Sequence, residues 1–463
     1  MSFASLPFLI FFSVVLVVVL FLQRLKNTFY KELFLLVASY FFYGYWDWRF
    51  CFLLLFVTAA AYITAIFVQN KVALAVGVIV PFVILGFFKY FNFFLDSFES
   101  LINRDIGTLS IILPVGISFY TFQALSYVID VKREKIPAEK SFIKLALYIS
   151  FFPQLVAGPI VKASEFLPQL KEDRRITLKN LEFGIQLMLF GLVKKIVIAD
   201  HLSVFVDDVF NTPAAFSWIS IVLAVISYSI QIYFDFSGYS DIAIGCAKCF
   251  GYDFYPNFNM PYISENVTVF WRRWHISLST WLKEYLYIPL GGNRKGKARQ
   301  YLNLFITMLL GGLWHGANWT FVFWGALHGG ALCIDKLIPK KKNQKTIFRI
   351  LNAFVTFLFV SFAWIFFRAD SFSNAWSIIK GIFTLQDGII QPFFWTFVAI
   401  AVVCIGTLVA IIRAKKRNEY EINGFYPIFN LNSVLGLTIL FIVCGLIIGF
   451  AFTGEHPFVY FQF

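Results

Sequence analysis

Long apolar runs, recurring from Leu6 to Phe452 with no long polar linker between them, constrain this chain more than any other feature. A helix needs about 20 apolar residues to cross the hydrocarbon of a bilayer, with a range of about 17–25. Seven runs qualify clearly: Leu6–Leu22, Phe50–Val68, Val72–Leu95, Trp218–Phe234, Ile350–Phe367, Pro392–Ile412 and Val434–Phe452. Shorter or more polar runs are Glu32–Trp46, Ile111–Val128, Phe142–Ile160, Phe183–Ile198, Leu302–Leu313 and Trp319–Leu332. About eleven full spans are expected, some of the short runs being re-entrant. Composition agrees. Only 14% of the 463 residues are charged and 59% are hydrophobic, whereas a soluble domain carries roughly 25% charged residues. The expected fold is an all-α integral membrane protein, with residues 1–463 forming one polytopic domain.

The net charge of +13 raises nucleic acid as a partner, but its distribution argues against it. Lys and Arg cluster in short loops at Lys132–Lys144, Lys162–Lys179, Arg294–Arg299, Lys336–Arg349 and Arg413–Arg417. Such loops face the cytoplasm and its anionic lipid surface. The first run has no positive residue before it, while Arg24, Lys26 and Lys31 follow it. That is the reverse of a signal peptide, so the run is expected to stay in the membrane with Arg24 inside. Of the six cysteines only Cys246 and Cys249 form a C-x-x-C. With no second pair and no histidine at ligand spacing, no metal or redox site is expected.

Proline and glycine interrupt several runs: Pro114, Gly116, Pro153, Gly158, Pro159, Pro289, Gly291, Gly292, Gly311, Gly312 and Gly316. Broken backbone at membrane depth is tolerated only where it is buried in protein or lines a polar cavity. Most of these residues fall between about 110 and 330, which places the functional core there.

Three of the five histidines, His275, His315 and His328, lie in one stretch. Ionisable groups inside a membrane domain are costly and usually mark a functional path. Gly312 and Gly316 flank His315 and leave space beside its imidazole; Trp314, Asn318 and Trp319 stand close in sequence. A neutral imidazole can take a proton from a hydroxyl near pH 7. It can equally tie two helices together by a hydrogen bond, and local sequence leaves both readings open. His275 follows Arg272, Arg273 and Trp274, a pattern that an interfacial basic-aromatic belt explains except for the histidine. His328 reads as a packing residue, and His201 and His456 as loop residues. Among other polar groups in apolar context, Ser118, Tyr120, Gln123, Ser237, Ser240 and Asp241 read mainly as helix-stitching groups, with Asp235 the exception. The chain lacks H-x-x-x-H, H-E-x-x-H, a Walker loop, G-x-S-x-G and G-x-G-x-x-G. ATP-driven transport and serine-hydrolase chemistry are therefore disfavoured.

Several segments together resemble one family. They are Phe270-Trp-Arg-Arg-Trp-His-Ile-Ser-Leu-Ser-Thr-Trp281, Tyr287-Ile-Pro-Leu-Gly-Gly-Asn-Arg294, Gly311-Gly-Leu-Trp-His-Gly-Ala-Asn-Trp319 and Gly325-Ala-Leu-His-Gly329. Further matching segments are Leu113–Gln123, Phe151–Pro159, Tyr233–Asp241, Trp364–Ala369 and Pro457–Phe463. They resemble the membrane-bound O-acyltransferase (MBOAT) family, in its bacterial branch that serves alginate, peptidoglycan and, further off, teichoic acid. The resemblance spans nearly the whole chain, with no departure at the histidines.

The resemblance implies a ring of tilted helices around a thinned centre with a tunnel joining the two membrane faces. It implies His315 as catalytic and His275 as a second tunnel residue; Trp274, Asp235, Asn318, Gln123 and Ser118, read from their own setting in the sequence, are the candidates to line such a tunnel. Arg272, Arg273 and Arg294 are candidates to meet the phosphates of coenzyme A. The implied reaction moves an acetyl group from cytoplasmic acetyl-CoA, a substrate and not a resident cofactor, to a hydroxyl of an extracytoplasmic glycan. No metal is required, because a thioester is already activated. A separate periplasmic or extracellular acetyltransferase or esterase-like protein is implied as partner, and the bacterial cytoplasmic membrane as the location. Rival readings are D-alanyl transfer to teichoic acid, a secondary transporter, for which inverted repeats are missing, and a non-enzymatic export scaffold.

Overall fold

A computed structural model describes residues 1–25, 27–104, 106–156, 158–339, 345–391, 394–416 and 429–451, with backbone alone at 409–416. His456, the motif at 457–463, residues 340–344 and Arg417 of two basic loops, Ala157, and the run ends Pro392 and Phe452 lie outside the described residues. The described residues are helical and contain no strand, only one isolated bridge between Phe216 and Ile389.

The chain packs as two compact units, Met1–Leu189 with Tyr239–Tyr255, and Phe190–Gly238 with Pro256–Phe463. The first contains α1 (Leu6–Leu22), α2 (Phe29–Asp47), α3 (Arg49–Ile66), α4 (Lys71–Leu85), α5 (Phe91–Ile102), α6 (Ile117–Lys132), α7 (Phe142–Ser150), α8 (Phe152–Leu155) and α9 (Ala163–Lys171), with most of α10 (Leu178–Leu192). The second contains α11 (Asp200–Asn211), the first part of α12 (Trp218–Cys249), α13 (Val267–Arg273), α14 (Ile276–Leu282), α15 (Gly296–His315), α16 (Trp319–Leu337), α17 (Thr346–Arg368), α18 (Phe372–Phe383), α19 (Phe394–Lys416) and α20 (Val434–Gly449).

Among the described residues four helices are long and apolar enough to cross a membrane: Arg49–Ile66, Lys71–Ile102, Trp218–Cys249 and Thr346–Arg368. Three shorter apolar helices are Leu6–Leu22, Phe394–Leu408 and Val434–Gly449. These seven coincide with the seven clear runs of the sequence. Helix α1 is apolar all round, with Leu6, Leu9, Ile10, Val14, Val17 and Phe21 exposed. Such a helix needs an apolar medium.

The interrupted runs break where proline and glycine predict. The run at Ile111 becomes helical only at Ile117, because Gly116 sits at φ 75, a left-handed conformation open to glycine. A Cβ on Gly116 would stand 2.6 Å from the Leu155 carbonyl oxygen. The run Phe142–Ile160 splits into α7 and α8, with Phe151 at ψ 112 just ahead of Pro153. The two broken segments therefore pack backbone to backbone within the first unit, buried in protein as broken backbone must be. Cys246 and Cys249 are buried, free thiols on the last turns of α12.

In the second unit α15 and α16 form an antiparallel hairpin with almost no gap between backbones. A Cβ on Gly312 would stand 3.1 Å from Gly325 Cα and closer still to the Phe321 carbonyl oxygen. One on Gly329 would stand 3.1 Å from Phe305 Cα. Small residues let helix backbones approach this way in a membrane, and Gly325-x-x-x-Gly329 has the spacing that does so.

Candidate active site

His315 is the last residue of α15. Gly316 then leaves the helix at φ −160, ψ 154, so the imidazole sits where the hairpin turns. Its side chain is packed among rings. Trp324 of α16 stands edge-on at 5.1 Å between centroids, Phe367 of α17 at 5.2 Å and Trp314 at 5.1 Å. The residue is 4% exposed. The flanking glycines do not leave room beside the imidazole, as their positions in sequence suggested. The space beside Gly312 holds the α16 backbone, and the space beside Gly316 holds the Phe321 ring. Both glycines serve close helix packing, which fixes His315 against α16.

His275 is fully buried between α13 and α14 in a left-handed conformation, φ 41, ψ 58. Asn257 holds this turn. Its Oδ1 accepts from the Ser277 backbone N–H at 3.1 Å and the Ser277 hydroxyl at 2.9 Å, and stands 3.3 Å from His275 Nδ1. The Asn257 backbone carbonyl accepts from Ile276 N–H at 2.8 Å. A backbone N–H can only donate, so the atom facing Ser277 is the amide oxygen. The imidazole nitrogen facing that same oxygen must carry a proton. His275 in its neutral form is therefore the Nδ1–H tautomer, with its lone pair on Nε2. Phe236 of α12 meets the imidazole edge-on at 4.6 Å, and Trp314 lies 6.2 Å away. His275 and His315 thus flank the same indole, Trp314.

Trp274 is fully buried and stacks on Phe270 at 5.6 Å, with Trp364 at 5.1 Å and Phe258 at 5.0 Å. It belongs to an aromatic wall and not to an interfacial belt. Of its basic neighbours, Arg272 is exposed and Arg273 half-buried; Arg294 is exposed in the loop before α15. Asn318 caps α16, its Oδ1 accepting from Thr320 N–H at 2.9 Å, while its Nδ2 donates to the Asp370 carbonyl at 2.9 Å. Ser118 and Gln123 are buried on α6 in the first unit. Both polar atoms of Gln123 lack a partner among the described residues.

Asp235 is buried on α12 and ion-paired. Lys195 Nζ stands 2.7 Å from Asp235 Oδ1 and 2.8 Å from Asp200 Oδ1. Lys195 lies in a π-helical turn, Val193–Ala199, between α10 and α11. The Asp200 N–H donates to the Lys195 carbonyl, five residues back. In an α-helix residues five apart point to different faces; the wider π turn brings them together. The backbone bulge and the Lys195–Asp200 pair therefore support each other. His201 is not a loop residue: it sits in the first turn of α11, its Nδ1 3.0 Å from the Ile196 carbonyl and its ring 4.3 Å from Trp395.

His328 is fully buried on α16, and its Nδ1 accepts from the Trp271 indole N–H at 3.2 Å. An indole can only donate, so neutral His328 carries its proton on Nε2. The sequence pattern singles out neither Asn257 nor the pairing of Lys195 with Asp200. Two adjacent lysines inside the apolar run Phe190–Ala199 were the available signal for the ion cluster. Asn257 lies in Tyr255-Pro-Asn-Phe-Asn-Met-Pro-Tyr262, which reads as a plain turn until its partners are known.

Comparison with known proteins agrees with this architecture. Residues 131–340 match the MBOAT, membrane-bound O-acyltransferase family. The chain is 43% identical over 401 residues to a probable alginate O-acetylase of Pseudomonas aeruginosa, covering 83% of this chain and 75% of that protein. It is 40% identical over 396 residues to a peptidoglycan O-acetyltransferase of Helicobacter pylori, covering 78% and 75%. A teichoic acid D-alanyltransferase of Bacillus subtilis is 26% identical over 280 residues, covering 56% and 70%. A buried histidine at the hairpin of two close-packed helices, in an all-helical apolar chain with relatives this similar over most of both lengths, leaves one assignment: the chain is a membrane acyltransferase belonging to the membrane-bound O-acyltransferase family.

Proposed function

We propose that this enzyme O-acetylates an extracytoplasmic glycan, using acetyl-CoA from the cytoplasm as donor. The names carried by the relatives at 40–43% identity support acetyl as the group and a polysaccharide such as alginate or peptidoglycan as the acceptor. Bacterial relatives support a place in the cytoplasmic membrane. D-alanyl transfer is the second reading, resting on relatives at 26–28% identity over about half of this chain.

The observation that carries the mechanism is the setting of His315. An imidazole inside a wall of rings, at the end of a rigid hairpin, is held in one orientation and shielded from bulk water. In the proposed step the acceptor hydroxyl attacks the thioester carbonyl carbon while His315 takes the hydroxyl proton. The carbonyl π electrons move to oxygen. They then return as the C–S bond breaks, and the departing thiolate takes the proton from His315. General base catalysis of this kind contributes roughly 10²–10⁴ in rate. His275, with its lone pair on Nε2, would orient a group that donates a hydrogen bond, such as the acceptor hydroxyl. The exposed Arg272 and Arg294 are suited to the phosphates of coenzyme A. A separate extracytoplasmic esterase-like protein is the proposed partner, setting the final acceptor.

The test is His315→Ala in the intact chain, with membrane abundance measured beside glycan O-acetyl content by mass spectrometry. Loss of O-acetyl groups at normal abundance is expected. Retained acetylation removes His315 from the mechanism, and D-alanine esters in place of acetyl would favour the second reading.

A further inference from the structure

The aromatic wall around His315 contains more hydrogen-bond donors than acceptors. Trp271 donates to His328 Nδ1 at 3.2 Å, and Trp364 donates to the Tyr262 hydroxyl at 3.2 Å. Three other N–H groups in the same wall are buried with no acceptor among the described residues: Trp274 Nε1, Trp324 Nε1 and His328 Nε2. Their rings are contiguous. Trp324 meets His328 at 4.8 Å and Trp364 at 5.5 Å, and Trp364 meets Trp274 at 5.1 Å. A buried donor without a partner costs about 1–3 kcal/mol, and a membrane interior offers no water to relieve it. Neighbouring indoles in the same wall are satisfied, so the deficit is local. A surplus made of N–H donors selects its ligand chemistry: a carbonyl oxygen or an oxyanion, and not a cation.

Trp324 occupies the decisive place. Its ring stands edge-on to His315 at 5.1 Å, on the helix that Gly312 and Gly325 press against α15. We propose that the Trp324 indole N–H is the oxyanion donor of this acyltransferase, holding the carbonyl oxygen of the acyl group while the transfer at His315 proceeds. The inference rests on the acyl-transfer reading of His315 given above. When the acceptor oxygen bonds to the thioester carbon, the carbonyl oxygen gains the π electron pair. A fixed donor aimed at that charge lowers the barrier without reorganisation, and loss of one such donor typically costs about 10²–10³ in kcat.

The experiment uses the full chain in membrane vesicles, supplied with acetyl-CoA and read as coenzyme A release together with acetyl transfer. Trp324→Phe keeps an aromatic ring and removes the N–H. Replacement of Trp324 by benzothienylalanine keeps the two-ring shape and puts sulfur where the N–H stands, which guards against a packing artefact. Both variants are expected to lose about 10²–10³ in kcat, with KM for acetyl-CoA within about twofold and abundance unchanged, as loss of an interaction made only in the transition state requires. A benzothienylalanine variant with wild-type kcat overturns the proposal, as does a raised KM at unchanged kcat. The underlying function fails separately: wild-type vesicles would then not consume acetyl-CoA at all.

Discussion

The ion cluster on the second unit makes an asymmetric prediction that distinguishes electrostatics from simple packing. Lys195 stands between Asp235 and Asp200 at 2.7 Å and 2.8 Å, all three side chains nearly or fully buried. At an effective dielectric of about 20, a pair at 2.7 Å gains roughly 6 kcal/mol of Coulomb energy, which desolvation largely offsets. Lys195→Met removes the single cation and leaves two carboxylates facing each other. Breaking a buried pair in this way costs about 3–5 kcal/mol. Asp235→Asn instead leaves the Lys195–Asp200 pair intact with an amide oxygen still able to accept. Only a charge-assisted bond is downgraded, at about 1–2 kcal/mol. The double variant Lys195→Met, Asp235→Asn then carries one buried carboxylate in place of two. It should be more stable than Lys195→Met alone by about 1–3 kcal/mol, the range of coupling between contacting sites. Reversible SDS titration in mixed micelles, followed by far-UV circular dichroism, gives the three free energies. Equal losses for the two single variants, or a double variant no better than Lys195→Met, would refute the electrostatic account.

Two further outcomes follow from the geometry. Asn257→Leu removes the oxygen that three donors share, so the acetyl-transfer rate should fall by about 10²-fold, the lower end of what a positioned acid–base group contributes. Asn257→Asp, which keeps an oxygen there, should retain most activity, and ¹⁵N NMR of labelled His275 should report loss of the Nδ1–H tautomer only in the leucine variant. Gly312→Val and Gly325→Val force a side chain into backbone, and overpacking of this kind typically costs about 1–3 kcal/mol. Gly330→Val, where a Cβ meets nothing within 4 Å, should be close to neutral when all three variants are compared by the same SDS titration.

The helical framework was legible because its signal is coarse. Long apolar runs name membrane helices whatever their neighbours do, and the seven clear runs appear as the seven apolar helices. Pro114, Gly116 and Pro153 announced the breaks in α6 to α8 because their backbone limits are local. The site was legible only in part. His275 and His315 stand out as ionisable groups in apolar surroundings, yet nothing local says that Asn257, eighteen positions earlier, shares an oxygen with His275 and Ser277. Gly312 and Gly316 were misread because a missing side chain looks the same in sequence whether it admits a ligand or another helix. His201 was misread because the π turn carries helix α10 on into α11 past the point where apolar periodicity fades. Pairing across the chain is set by tertiary packing, and one sequence does not encode it in any local pattern.

The left-handed backbone at His275 bears on how its chemistry can be measured. At φ 41 a side chain with a Cβ is strained, though His, Asn and Asp tolerate the region better than most. Replacement by alanine would delete the imidazole and at the same time exchange one backbone preference for another, so a rate change would mix two causes. Asparagine accepts the same backbone and still offers Asn257 a donor. A comparison of histidine with asparagine at this position therefore isolates what the ring itself supplies, and a comparison of alanine with glycine, which both lack the ring, reads the conformational share.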